Sequence, residues 1–379
     1  MSARTSSGPG IATRVFGSQW FVSVLAVLIA FAIGAILIAL SGASVVDAYY
    51  AMFRGSIVDP NAANAVRMIK PLTDSLFYSI PLIISGLGLA LGFRAGLFNI
   101  GGKGQIIVGA LAAVWVGFAV SLPPVVHTLV ALLVAVIAGG LYGGIAGVLK
   151  AKTGANEVIV TIMLNAIATL GLGYTLAQKA WQVPGTNQPV TPKVADSAAF
   201  ARLLPAPFKL HVGFLVALVA LVAFWWLIER STLGFQIRAV GANAAAARTA
   251  GISVERITAI TMVLSGAFLG LAGANEALGT IGYVSRDVAG SIGFDAITVA
   301  LLGRNKTWGT FGAGLLFGAF KAGGYAMQAK GVPIDMILIL QSVIVLLIAA
   351  PALVRWLFRL PDVCAFAANT RKGNADEHK

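Results

Sequence analysis

Long apolar windows follow one another along this chain, at 20–40, 72–93, 105–122, 125–149, 156–177, 210–229, 255–276, 288–303, 309–328 and 335–357. A bilayer's hydrocarbon core is about 30 Å thick and takes about 20 helical residues to cross. Inside it only helices and closed barrels satisfy their own peptide groups. The windows are continuous rather than alternating, which selects helices. The chain is therefore predicted to be an all-α polytopic membrane protein with about ten transmembrane helices. Only 11% of its residues are charged, against about 25% in soluble domains.

A net charge of +13 in a soluble chain points to nucleic acid. Here the Lys and Arg residues gather between the windows, and the excess of basic residues on the cytoplasmic side of membrane proteins accounts for them. Membrane lipid, not nucleic acid, is the expected partner. The single cysteine, Cys364, excludes an internal disulfide and a cysteine metal site. Arg4 and Arg14 precede the first window, which is long for a signal-peptide core and right for an uncleaved span. The expected organisation is a cytoplasmic tail at 1–19, a transmembrane domain at 20–357 and a second tail at 358–379, with both termini cytoplasmic. The segment between Gln178 and Leu210 holds Trp181 and five prolines, and reads as an ordered outer cap, either a lid or a docking surface for an extracytoplasmic partner. Gly139, Gly143 and Gly147, and again Gly266, Gly270 and Gly273, are spaced for close helix packing.

The stretch Leu91–Val108, LGFRAGLFNIGGKGQIIV, separates two of the windows with glycines and amides. An ordinary tight loop has this composition, and so does a helix broken at membrane depth. A second copy at Ile281–Arg304, IGYVSRDVAGSIGFDAITVALLGR, favours the broken helix. Two such interruptions in corresponding places predict an inverted internal repeat with a transport path between the halves. Asn99, Gln105, Asn165, Asn275 and Asp295 are the candidate lining residues. An amide that only ties helices together fits each of the asparagines and the glutamine equally. Glu157, Asp295 and Lys321 are ionisable residues within windows, and an Asp295–Lys321 pair is expected.

Between windows six and seven lies LGFQIRAVGANAAAARTAGISVER. Asn243 is a good N-cap, alanines form the body, and Gly251 sits at the C-terminal cap. A helix this short is unstable alone in water and must pack on something. There is no GxxxxGK[ST] motif, no HExxH motif and no paired carboxylate arrangement. No catalytic residue, metal or cofactor is therefore expected.

FRAGLFNIGGKGQ at 93–105, GANEVIVTIMLN at 154–165, VGANAAAARTAGI at 240–252 and GFDAITVALLGR at 293–304 resemble the permease subunits of ABC importers for simple sugars and nucleosides, closest to the nucleoside branch. The resemblance covers about residues 70–355, and Lys103 stands where that family commonly has an acidic residue. It implies a bacterial inner-membrane permease with three kinds of partner: a cytoplasmic ABC ATPase subunit that hydrolyses the ATP, a second permease that is a paralogue, and an extracytoplasmic solute-binding protein. It also implies that 241–252 is the coupling helix seated in the ATPase, with Gly241, Asn243, Ala247, Arg248 and Gly251 as its coupling residues. The rival readings are an ion-coupled secondary transporter, for which only Asp295 speaks, and a membrane-embedded enzyme, whose Asp or His clusters are missing.

Overall fold

The computed structural model describes residues 19–62, 64–333 and, beyond these, 338–339, 342–343 and 346–347. Apart from Gln19 and the last three pairs, the expected tails 1–19 and 358–379 and the window 335–357 lie outside the described residues. Helices α1 (Gln19–Leu40) and α2 (Val45–Ser56) come first. They are followed by α3 (Ala65–Arg94), α4 (Gly102–Ala119), α5 (Pro124–Thr153) and α6 (Glu157–Ala177). Then come α7 (Gly213–Trp225), α8 (Thr232–Ala242), α9 (Ala244–Thr249), α10 (Val254–Asn275), α11 (Ile292–Leu302) and α12 (Thr307–Gln328). Wide π turns extend α7 to Arg230 and α10 to Thr280. There is no strand among the described residues, only one isolated bridge between Arg202 and His211.

Among the described residues, six helices are long and apolar enough to cross a membrane: α3, α4, α5, α6 and the extended α7 and α10. The window at 288–303 yields only α11, whose 11 residues span about 16 Å at 1.5 Å per residue, half of a hydrocarbon core. The glycines and turns of Ile281–Ser291, with Gly290 at φ +42°, delay its start. The structure also starts α3 earlier than its window, at Ala65, and α2 falls between windows.

Of the described residues, those up to Ala51 and from Met327 onward form one unit, and Met52–Ala326 form the other. In the first, the Tyr49 hydroxyl donates to Phe31 O at 2.5 Å and the two rings meet edge to face. In the second, α10 is central, packing on α3, α4 and α5. Local chemistry sets the helix starts. Asn64, Asn156, Ser231 and Ser253 each accept a backbone N–H from the first turn of α3, α6, α8 and α10, offsetting donors that no helix can satisfy for itself.

The α5–α10 seam is made by absent side chains. A Cβ on Gly139 would lie 2.5 Å from Gly266 O, one on Gly143 2.6 Å from Met262 O, and one on Gly147 2.7 Å from the Met262 side chain. Gly270 is equally close to Ala135 O, and Gly273 to Ile106 O on α4. In lipid, where apolar side chains gain nothing by leaving one another's surroundings, this close backbone contact drives association. By contrast, only 17% of the apolar stretch of α6 is buried, which puts that helix on the outside.

Gly139→Val forces backbone apart and is expected to cost more than the ~1–3 kcal/mol of ordinary overpacking. Gly171→Ala, which meets nothing within 4 Å, is expected to be neutral or slightly stabilising. Detergent-solubilised yield and thermal unfolding of the two variants check this.

Candidate functional site

Helix α3 ends in a full Schellman motif. Gly96, at φ +72°, donates to Phe93 O at 3.1 Å, and Leu97 donates to Gly92 O at 2.9 Å. The chain then turns back into the bundle before α4 begins. Gly104 N–H reaches Asn165 Oδ1 at 2.7 Å, eight residues along α6 and so about 12 Å from the start of that helix. Peptide groups between the two helices find partners in side chains. Ile100 N–H donates to Thr161 Oγ1 at 3.2 Å, and Asn165 Nδ2 donates to Ile100 O at 2.8 Å. Asn99 is completely buried. Its Nδ2 donates to Gln105 Oε1 at 3.1 Å and Ser265 Oγ at 2.9 Å, while its Oδ1 accepts from Gly101 N–H at 2.9 Å and Gln105 Nε2 at 3.3 Å. Two donors and two acceptors are all committed, which is everything a carboxamide has.

The second interruption meets the first. A Cβ on Gly293 would lie 2.5 Å from Lys103 N, and one on Gly102 3.2 Å from Gly293 O, so the first residues of α4 and α11 touch. Helix α11 then runs alongside α3, with Val299 against Gly86 and Asn305 beside Arg94. Helix α10 crosses α3 in the opposite sense, since Gly88 faces Ser265 and Phe268 while Tyr78 lies within electrostatic reach of Glu276.

Asp295 lies one turn into α11 and accepts the Ser291 hydroxyl at 2.6 Å. The expected ion pair with Lys321 is not closed, because this carboxylate turns back to its own helix. Lys321 nonetheless lies within electrostatic reach of both Asp295 and Glu276, and Glu276, 7% exposed, accepts the Thr280 hydroxyl at 3.1 Å. Tyr78 and Tyr325 stand beside them with ring centroids 5.3 Å apart. Asn275 belongs to neither group. It is fully buried with both ends of its amide unpartnered, close to Gly213 and to His211, whose Nε2 is also unpartnered.

At the end of the bundle where α3 and α11 finish, Arg94 joins three elements. Its Nε donates to Asn305 O at 2.7 Å, and its guanidinium lies 4.0 Å from Glu229. The backbone of Gly241 sits directly against Arg94 O, where a side chain has no room. Asn243 caps α9 by accepting from Ala246 N–H at 3.0 Å, and Gly251, at φ +82°, closes it in a second Schellman motif. Of α9 only Ala247 is buried, at 4% exposure, and Arg248 pairs with Glu255 at 2.8 Å on the exposed side. An apolar groove of about 580 Å³ lies between α8 and α9, lined by Phe235, Ala239 and Ala246 among others.

Residues 72–349 match the family described as the permease component of branched-chain amino acid transport systems. The chain belongs to this permease family. It is 40% identical over 349 residues to the guanosine ABC transporter permease protein NupP of Bacillus subtilis, covering 89% of this chain and 95% of that one. The glucose ABC transporter permease protein TsgB13 of Haloferax volcanii is 35% identical over 85% of each chain. The nucleoside ABC transporter permease protein NupB of Lactococcus lactis is 31% identical over 93% of this chain and 97% of its own. The two bacteria also hold second, more distant relatives, the permease proteins NupQ and NupC, at 29% and 27% identity. No solved structure matches the chain significantly.

In this permease, then, Asn99, Gln105 and Asn165 come together, while Asn275 and Asp295 stand apart from them and from each other. Gly241, Asn243, Ala247 and Gly251 shape and seat the short helix, and Arg248 is on its outer face. Glu157 finds Lys150 at 2.8 Å. Sequence reading missed Glu276, Tyr78 and Tyr325. The signal was the four-residue spacing of Asp74 with Tyr78 and of Lys321 with Tyr325, which puts each pair on one helix face. No group of three or more metal-ligating side chains occurs among the described residues.

Asn165→Leu strands the Gly104 N–H and the Ile100 carbonyl at a cost of ~1–3 kcal/mol each. Amide exchange in the 99–105 peptide is expected to quicken by about tenfold or more, whereas Thr169→Val, on an exposed turn of the same helix, leaves it unchanged.

Proposed function

We propose that this permease is one of two paralogous membrane subunits of an ATP-driven importer that carries nucleosides or a related sugar. The observation that carries the reading is the 40% identity to a guanosine permease over 89% of the chain. A cytoplasmic ABC ATPase supplies the energy, and an extracytoplasmic binding protein delivers the solute. The occurrence of NupP with NupQ and of NupB with NupC, two to an organism, supports a paralogue as the second permease.

About ten helices cross the inner membrane in this reading, with both termini cytoplasmic. The segments α3–turn–α4 and α10–turn–α11 are the two members of an inverted repeat. In each a long helix is followed by a turn back into the bundle and a helix that starts inside it, and the two inner helix starts abut at Gly102 and Gly293. The path runs past this junction. Asn99, Gln105 and Asn165 build its wall with their hydrogen bonds already committed, Asp295 adds a carboxylate to it, and Asn275 supports it from its buried place beside His211.

The ATPase docks on the end that carries α8 and α9. Ala244–Ala246 and Arg248 face outward there, Ala247 anchors the helix, and Gly241 passes its movement to Arg94 by direct backbone contact. Ala246→Glu puts a charge in the apolar groove without touching that anchor. Uptake is expected to fall below about a tenth, since burying an unpaired charge costs several kcal/mol, and the ATPase is expected to be lost from a mild-detergent pull-down while the permease remains in the membrane. Undiminished uptake by this variant overturns the coupling assignment.

A further inference from the structure

We propose that Tyr78, Tyr325, Glu276, Asp295 and Lys321 form the station that holds the passing solute, and that the solute offers a planar ring together with hydroxyl groups, as a nucleoside does. The proposal rests on the importer reading and gives it a place in the chain.

Four helices converge to make this cluster. Gly318 lets α12 seat against the backbone of Ser75 and Ser79 on α3, where a Cβ would come within 2.5 Å of Ser75 O. That contact sets Lys321 and Tyr325, one face of α12, beside Asp74 and Tyr78, one face of α3. Glu276 enters from α10 and Asp295 from the first turn of α11. The two phenol rings are tilted 38° to each other, and Tyr325 remains 43% exposed, leaving a ring face for a flat solute. A sugar or base stacks on such a face without regard to its exact hydrogen-bonding pattern, which suits a carrier whose delivered solute has already been selected.

The polar groups supply the other half of the recognition. Glu276 and Asp295 each receive one hydroxyl from their own helix and keep acceptor capacity beyond it. Asp74 pairs with Lys70 through Oδ2 and leaves Oδ1 buried without a partner. Lys321 closes no ion pair, although its charge reaches both neighbouring carboxylates. The cluster therefore offers acceptors for ribose hydroxyls and ring N–H groups, and one ammonium donor for a ring carbonyl or nitrogen. Carboxylates outnumber the ammonium, so a phosphorylated solute finds no surplus of positive charge.

The test uses cells carrying the complete transporter, saturating radiolabelled guanosine, and photolabelling of their membranes with an azido-guanosine whose attached peptides are identified by mass spectrometry. Tyr325→Leu is expected to lower the uptake rate about tenfold, the effect of one lost stacking contact, while Tyr325→Phe keeps it within about twofold. Label is expected on the peptides holding Tyr78 or Tyr325. Wild-type rates for both Tyr325→Leu and Lys321→Gln, or label only on other helices, overturn the station and leave the importer reading in place. Uptake of glucose but not guanosine by the wild type overturns the planar-ring assignment alone. Uptake of neither, with no ATPase co-purifying, removes both.

Discussion

A peptide group that leaves its helix inside a bilayer has no water to turn to, and the cost of leaving it unpaired runs to several kcal/mol. Two helices of this permease begin inside the bundle, so each has a turn that must be paired by something else. For the first turn the side chains are identifiable: Thr161 and Asn165, one helical turn apart on α6, hold Ile100 and Gly104, and Asn99 closes on Gln105 and Ser265. The amides of this region spend their hydrogen bonds on the backbone and on one another. They make the turn a rigid rim, and rigidity is what allows a rim to be moved as one piece by forces applied at its edge.

Those forces have a short route. The same Schellman turn that ends α3 at Gly96 rests against Gly241, and the last residue of α3, Arg94, holds the turn after α11 through Asn305. Arg304 and Asn305 both lie at positive φ, 53° and 55°, a conformation that costs about 1 kcal/mol or more for residues other than glycine and that the neighbouring contacts sustain. Displacement of α8 thus bears on the bases of both interrupted segments at once. This joins Gly241 to the glycines of the interruptions, two groups that look unrelated along the chain.

The helical class, the glycine seams and the first interruption were legible because each is written locally, in continuous apolar windows, in glycines spaced by four, and in Gly96 and Gly101 flanking amides. The half-length of α11 was not. Its residues are as apolar as those of a full span, and only the tertiary path of Ile281–Ser291 shows that they start within the bundle. Asn243 and Gly251 announced α9 with its caps, yet which of its alanines faces inward depends on α8, and so the burial of Ala247 was out of reach. The tyrosine and carboxylate cluster was the hardest to see. Asp74, Tyr78, Glu276, Asp295, Lys321 and Tyr325 come from four helices spread over 250 residues, and no spacing within one helix reveals that those helices converge.

Helix α3 has 83% of its apolar stretch buried, and its surface of Ser75, Ser79, Ser85, Gly86 and Gly88 is made for other helices rather than for lipid. Much of that cover comes from α10, α11 and α12, which emerge from the ribosome some 160 or more residues later, with α7 covering a further side. The core helix, with Pro71 and Pro81 inside its continuous run, is therefore synthesised well before the neighbours that cover it. The centre of the bundle is thus shared between an early helix and the C-terminal third of the chain, and a chain stopped before α10 lacks the helix that packs on α3, α4 and α5 together.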